Sequence, residues 1–255
     1  MSMFTKRGAD AVTAAQTEKE TKESAIVPFG SGTTLKVRVK DVADSVEYYA
    51  YSMFGKVNTF VPKEPAERNA KGYITANPTA WDKAADLLYA DAKAAKDAGD
   101  EAKAEDIRKQ AYLYKGKPKY LVGFGNLETG ADIVVDLTPK QANVVFAAIK
   151  KYEKKIGTLA FELTKSGSST NTVVSLSPIL DMDEDLTDAE RANFAKAGEA
   201  PFDFETFEGC LYVADEAEQV KNLVIAGFDI GRLGLSYGGS SEAQQQVSGE
   251  PDVGF

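Results

Sequence analysis

Thr33-Thr34-Leu35-Lys36-Val37-Arg38-Val39-Lys40 alternates apolar and basic residues from Leu35 onward. On an extended chain Leu35, Val37 and Val39 fall on one face, and Lys36, Arg38 and Lys40 on the other. A period of two predicts a β-strand with one buried face and one basic face. Three cations on one strand face repel one another unless something anionic is near. That partner is either Asp or Glu on neighbouring strands or a bound polyanion.

The β pattern extends outward from this stretch. Val46–Phe54 carries Tyr48, Tyr49 and Tyr51 at strand spacing, and Phe60-Val61 follows before Pro62 and Pro65. Tyr120–Gly125 and Asp132–Asp136 read as two strands joined by a turn at Leu127–Gly130. Thr138 caps a predicted helix with Pro139 in its first turn. That helix has Ala142, Val145, Phe146 and Ile149 at helical spacing and ends near Gly157. Two more strands, Thr158–Thr164 and Thr172–Ser177, flank a polar loop. Residues 79–114 break the pattern. Thr79 is a cap, Ala is dense from Ala84 to Ala98, and Gly99 interrupts the run, which predicts a helical hairpin with Trp81, Leu87, Leu88, Ile107 and Leu113 inward. The expected class is mainly β with helical insertions, α+β.

Bulk composition narrows the chemistry. The 255 residues include no histidine and a single cysteine, Cys210. A Ser-His-Asp triad, a Cys-His pair, a Cys/His zinc site and an intramolecular disulfide are therefore excluded within the chain. Gly123-Phe124-Gly125 sits inside a strand pattern, so it is no dinucleotide fingerprint, and Gly30–Thr34 lacks the Lys of a phosphate loop. Asp181–Asp185 lacks the glycine a calcium loop needs. No cofactor or metal is expected, and the chain is read as a non-enzyme. With no run of about 18 apolar residues and no apolar core near the N-terminus, the expected compartment is the cytoplasm, that of a host cell if the chain is phage-encoded.

Charge is unevenly laid out. Residues 1–180 hold 26 Lys+Arg against 22 Asp+Glu, net +4, whereas residues 181–255 hold 4 against 17, net −13. Four regions follow: a polar arm over 1–27, a binding domain over 28–180 with the insertion at 79–114, an acidic segment with short helices over 181–237, and a Gly/Ser/Gln-rich tail over 238–255. The tail ends Glu250-Pro251-Asp252-Val253-Gly254-Phe255. Asp252 and Phe255 are candidate contacts for a partner protein.

Lys109–Phe124 is the densest functional pattern. Lys109, Tyr112, Tyr114, Lys115, Lys117, Lys119, Tyr120 and Phe124 alternate cations with aromatic rings. A single nucleic-acid strand requires both, cations for phosphates and flat rings for unstacked bases. The alternative is a solvated basic loop whose tyrosines belong to a core. From the residues, the candidate phosphate contacts are Lys36, Arg38, Lys40, Lys115, Lys117 and Lys119. The candidate stacking rings are Tyr49, Tyr51, Tyr114, Tyr120 and Phe124.

The runs Lys119–Phe124, Asp132–Leu137, Gln141–Lys155, Leu159–Leu163 and Ser175–Pro178 resemble the single-stranded DNA-binding proteins of tailed bacteriophages. The tail Glu250–Phe255 is similar to the acidic, Phe-ended tails of bacterial and phage single-strand binders. The resemblance covers roughly residues 30–180 and the tail. It implies a five-stranded barrel of the oligonucleotide/oligosaccharide-binding (OB) type and binding without sequence specificity, compatible with assembly along the strand. It also implies recruitment of replication or recombination proteins by the tail. The chain departs from the zinc-bearing members, whose metal site it cannot build. The competing expectation is a structural or assembly protein acting through protein contacts.

Overall fold

The computed structural model describes residues 25–168 and 171–236. In chain order its elements are β1 (Thr33–Arg38), β2 (Ser45–Met53), β3 (Val57–Pro62), β4 (Glu67–Arg68), β5 (Ile74–Ala76), α1 (Ala80–Asp97), α2 (Glu101–Tyr114), β6 (Lys117–Asn126), β7 (Asp132–Leu137), α3 (Pro139–Lys151), β8 (Ala160–Ser166), β9 (Val173–Ile179), α4 (Met182–Asp185), α5 (Asp188–Ala197), α6 (Glu205–Glu208), β10 (Val213–Ala214) and α7 (Glu216–Ala226). The chain is thus a mixed helix-and-sheet protein. It divides into two compact units. The first holds the described residues as far as Tyr48 together with Pro118–Leu211, and the second holds Tyr49–Lys117 with the described residues from Tyr212.

In the first unit five strands pair antiparallel in the order β7–β6–β1–β8–β9. β1 is central, as its alternation requires: Val37 and Val39 are buried at 0% and 1% exposure. They meet Phe124, Phe161 and Leu163 from the neighbouring strands, and Val145 and Ile149 of α3. That helix begins where the Thr-Pro signal puts it, with the Thr138 N–H donating to Gln141 Oε1 at 3.1 Å. It stops at Lys151, and a short 3₁₀ turn over Glu153–Lys155 carries the chain toward Gly157.

The sheet is open where the expected barrel would close. Among the described residues no pairing joins β7 to β9. The outer edge of β7 is taken by the segment before β1: Val27 N–H donates to the Val134 carbonyl at 3.0 Å, and Val134 N–H to that of Ala25 at 2.8 Å. A covered edge cannot template further pairing.

The second unit is built on an aromatic cluster. Tyr51 stacks on Phe60 at 5.6 Å, and Trp81 meets Phe60 at 5.4 Å and Tyr114 at 5.6 Å. Phe228 closes on Tyr114 at 5.4 Å. The fully buried Trp81 directs its indole N–H to the Gln219 carbonyl at 3.0 Å, so the ring's one polar atom is satisfied. The helical hairpin forms as expected, with Thr79 capping α1 and Gly99 at φ +84° between α1 and α2. Leu113, expected inside, is 45% exposed.

The insertion is larger than residues 79–114. Its core also takes the end of β2, Val57 and Phe60 of β3 and, from the chain's acidic segment, Leu223, Ala226 and Phe228. Alanine-rich helices supply little apolar surface of their own, so they need these larger side chains to bury against.

Candidate nucleic-acid interface

The first unit answers the question its basic row poses. Lys36 Nζ lies 3.1 Å from Glu190 Oε1 and donates to the Asp185 carbonyl at 2.9 Å. Arg38 donates to the Phe194 carbonyl at 2.7 Å and stacks its guanidinium on the Phe194 ring at 4.2 Å. Burial lowers its pKa. Gly198 lies so close that a Cβ there would come within 2.5 Å of the guanidinium. Lys40 pairs with Asp132 at 2.8 Å. The partner of the row is thus intramolecular, chiefly the segment over α4 and α5. That segment is held in turn by Leu186 and Phe194 against Leu127, Ala160 and Ile179.

The remaining first-unit candidates behave similarly. Lys119 forms an ion pair with Asp136, which also accepts from the Tyr48 hydroxyl at 2.9 Å. Burial, then the Asp136 carboxylate, raises the Tyr48 pKa. The Tyr120 hydroxyl donates to Glu47 at 2.8 Å, and its ring meets Phe146 edge-on at 5.7 Å. Phe124 is fully buried at 0% exposure, so it is core and offers no face to a base.

The second unit is different. α2 extends to Tyr114, so the ribbon begins as a helix rather than a strand. Ala104, Ala111 and Tyr114 face inward at helical spacing, and Tyr114 is 7% exposed. Tyr112 points away and is 56% exposed. Tyr114, expected as a stacking ring, is core; the exposed ring here is Tyr112, with Lys117 Nζ 4.7 Å from its ring centre. Lys115 is exposed. Its charge pulls the Asp86 pKa down, against the larger upward effects of burial and Asp82.

Between Lys115 and Lys117 the chain runs across Tyr51. A Cβ on Gly116 would come within 2.7 Å of the Tyr51 ring, so only glycine fits. Tyr51 is 1% exposed and is likewise core, not a stacking face. Its hydroxyl donates to Asp82 Oδ2 at 2.7 Å and accepts from Arg68 Nη2 at 3.2 Å. Burial and the Asp82 carboxylate raise its pKa. Asp82 also caps α1 through the Thr79 backbone N–H at 3.1 Å and pairs with Arg68 at 3.2 Å.

Arg68, fixed in this way, lies over the Tyr49 ring at 4.0 Å. The β4–β5 hairpin then folds its tip onto Tyr49, with room at Gly72 for no side chain: a Cβ would sit 2.6 Å from the Tyr49 hydroxyl. The tip presents Lys71 and Tyr73, the latter 66% exposed. A chain of contacts in the second unit thus runs from Tyr112 and Lys117, through buried Tyr51 and Arg68, to Tyr49 and the hairpin tip. Protein-family models, curated proteins and solved structures were each compared with the chain, and none matches.

Arg68 and Tyr73 carried no sequence signal, since Glu67-Arg68-Asn69 has no pattern of its own. Tyr112 was legible in principle, because helical periodicity through Ala111 sends it opposite Tyr114. Asp252 and Phe255 lie outside the described residues. No helix among the described residues is long and apolar enough to cross a membrane.

Proposed function

We propose that the chain binds single-stranded DNA without sequence specificity and serves replication or recombination as a non-enzymatic accessory protein. The observation that carries this reading is the second-unit surface on which Lys117 lies beside the exposed Tyr112 ring, next to exposed Lys115, while the hairpin tip presents Lys71 and Tyr73. Alternating cation and ring is the minimum a single strand requires, because phosphates and unstacked bases alternate along it. A duplex hides its base faces and would use only the cations.

The strand order of the first unit supports an OB-type reading of that unit. Five antiparallel strands with a helix between the third and fourth match the partly open barrel of such domains. In this reading a β7–β9 contact would complete the barrel once residues 25–27 left the edge of β7. The terminal residues Asp252 and Phe255 are the proposed contacts for a partner protein.

The test is a titration of the full chain with a labelled oligo-dT of about 30 nucleotides, at roughly 50 and 300 mM salt, beside a duplex of equal length. The expected result is binding to the single strand that weakens steeply with salt and little binding to the duplex. Absence of binding at low salt would overturn the proposal in favour of a structural or assembly protein.

A further inference from the structure

The end of α3 carries Lys150-Lys151-Tyr152-Glu153-Lys154-Lys155. All four lysines are exposed, and among the described residues none lies within ion-pair distance of a carboxylate. Favourable interaction with the helix C-terminus accounts for Lys150 and Lys151, which sit in the last turn. It does not account for Lys154 and Lys155, which lie beyond the helix. Lys151 also lies over the Tyr152 ring at 5.1 Å, so Lys154 and Lys155 are the two cations left without such compensation.

Beside them runs a groove of about 370 Å³ lined by Val42, Ser45, Phe146, Ile149, Lys150 and Glu153. Its size falls within the range of small-molecule clefts, roughly 300–1,000 Å³. Three of its six lining residues are apolar, one of them aromatic, and the others supply a hydroxyl, a carboxylate and the Lys150 ammonium.

We infer that this groove is a second nucleotide subsite for single-stranded DNA, lying wholly within the first unit. The inference rests on the single-strand reading above and names a place that reading does not. A base enters against Phe146 and Val42, and the flanking phosphates meet the lysines. Glu153 decides between occupants. An acidic peptide would satisfy the lysines but would be repelled by a carboxylate in the groove. A nucleobase with an exocyclic amino group donates to that carboxylate. Cytosine, adenine and guanine carry such a group, and thymine lacks it, so the subsite adds a base preference to an otherwise sequence-tolerant protein.

The experiment uses the full chain and labelled oligo-dC and oligo-dT of about 30 nucleotides across a salt series. Wild type is expected to favour oligo-dC by about tenfold or more, in keeping with one hydrogen bond to a charged acceptor. Glu153→Ala is expected to erase that preference and leave oligo-dT binding intact. Lys150→Ala combined with Lys154→Ala is expected to lower the salt slope by about 1.4, roughly 0.7 for each phosphate no longer neutralised. All three side chains are exposed, and an unchanged melting temperature confirms the fold. Wild-type affinity, base preference and salt slope in these variants would overturn the subsite while Lys115 and Lys117 variants still lose binding. A poly-glutamate peptide that binds wild type but not the Lys150/Lys154 variant, with oligonucleotides unaffected, would overturn it in favour of a peptide site. No binding of either oligonucleotide by wild type would instead remove the single-strand reading on which it rests.

Discussion

Two basic rows with nearly the same composition meet opposite fates in this molecule. Along β1 and just past its end, Lys36, Arg38 and Lys40 are taken up by Glu190, the Phe194 carbonyl and ring, and Asp132. On the second unit, Lys115 and Lys117 follow a helix end, and the one ring Lys117 meets belongs to an exposed tyrosine. A cation's availability is set by what the chain brings back over it, not by its own spacing. The acidic segment 181–198 returns onto β1, so its net negative charge works as an internal counter-ion. A row that binds its own chain stabilises a fold, whereas a row left facing water can attract a polyanion.

The largest expected effect tests the support beneath the second row. Asp82 is 2% exposed in its side chain, and Arg68 is 8%. Asp82→Ala strands a buried guanidinium and removes a helix cap, so a loss of about 3–5 kcal/mol is expected in urea unfolding. If stability changed by less than about 1 kcal/mol, Arg68 would be resting on something else.

Next in size is the contrast between neighbouring tyrosines. Tyr114→Ala is expected to cost about 3 kcal/mol of stability, because it empties part of the Trp81–Phe228 cluster. Tyr112→Ala is expected to leave the melting temperature in place and weaken oligo-dT binding by about 1–3 kcal/mol. The reverse pattern would mean that α2 presents its other face to the ligand.

Salt dependence separates the two rows directly. Lys115→Ala with Lys117→Ala is expected to lower the slope of log affinity against log salt by about 1.4. Lys36→Ala is expected to leave that slope alone, with a stability change of about 1 kcal/mol or less for a partly exposed pair. Equal loss of slope in both would show that the β1 row reaches DNA after all.

The smallest effect is a pH dependence. The Thr187 backbone N–H and Lys36 hold the Glu190 carboxyl below its ordinary pKa, outweighing burial. A depressed folded pKa means that the unfolded chain takes up the proton first as pH falls. The stabilisation is therefore complete above the ordinary carboxylate value of 4.5 and is lost as pH drops through the lower folded value. Glu190→Gln should flatten melting temperature against pH in that window, and a wild-type-like curve in the variant would exclude Glu190 as the source.

Much of the fold was legible along the chain. Alternation placed β1, the Thr-Pro pair placed the start of α3, and Thr79 with Gly99 placed the helical hairpin, because capping, turn chemistry and periodicity act over a few residues. The site was less so. Tyr51 and Tyr114 have the composition of stacking rings and are core, while Tyr73 had no signal and stands on the surface, and the side chain of Arg68, equally without signal, is buried against Asp82.

The sequence by itself determined the chemistry that is excluded, the β and helical segments, the uneven charge and the supply of lysines and tyrosines. Each of these follows from residue identity or from neighbours within a few positions. Tertiary structure alone decided which cations are spent on Glu190 and Asp132, which rings are buried, and how far the inserted unit extends. Those outcomes depend on residues as far as 154 positions apart, as between Lys36 and Glu190, and no local pattern records a partner at that distance.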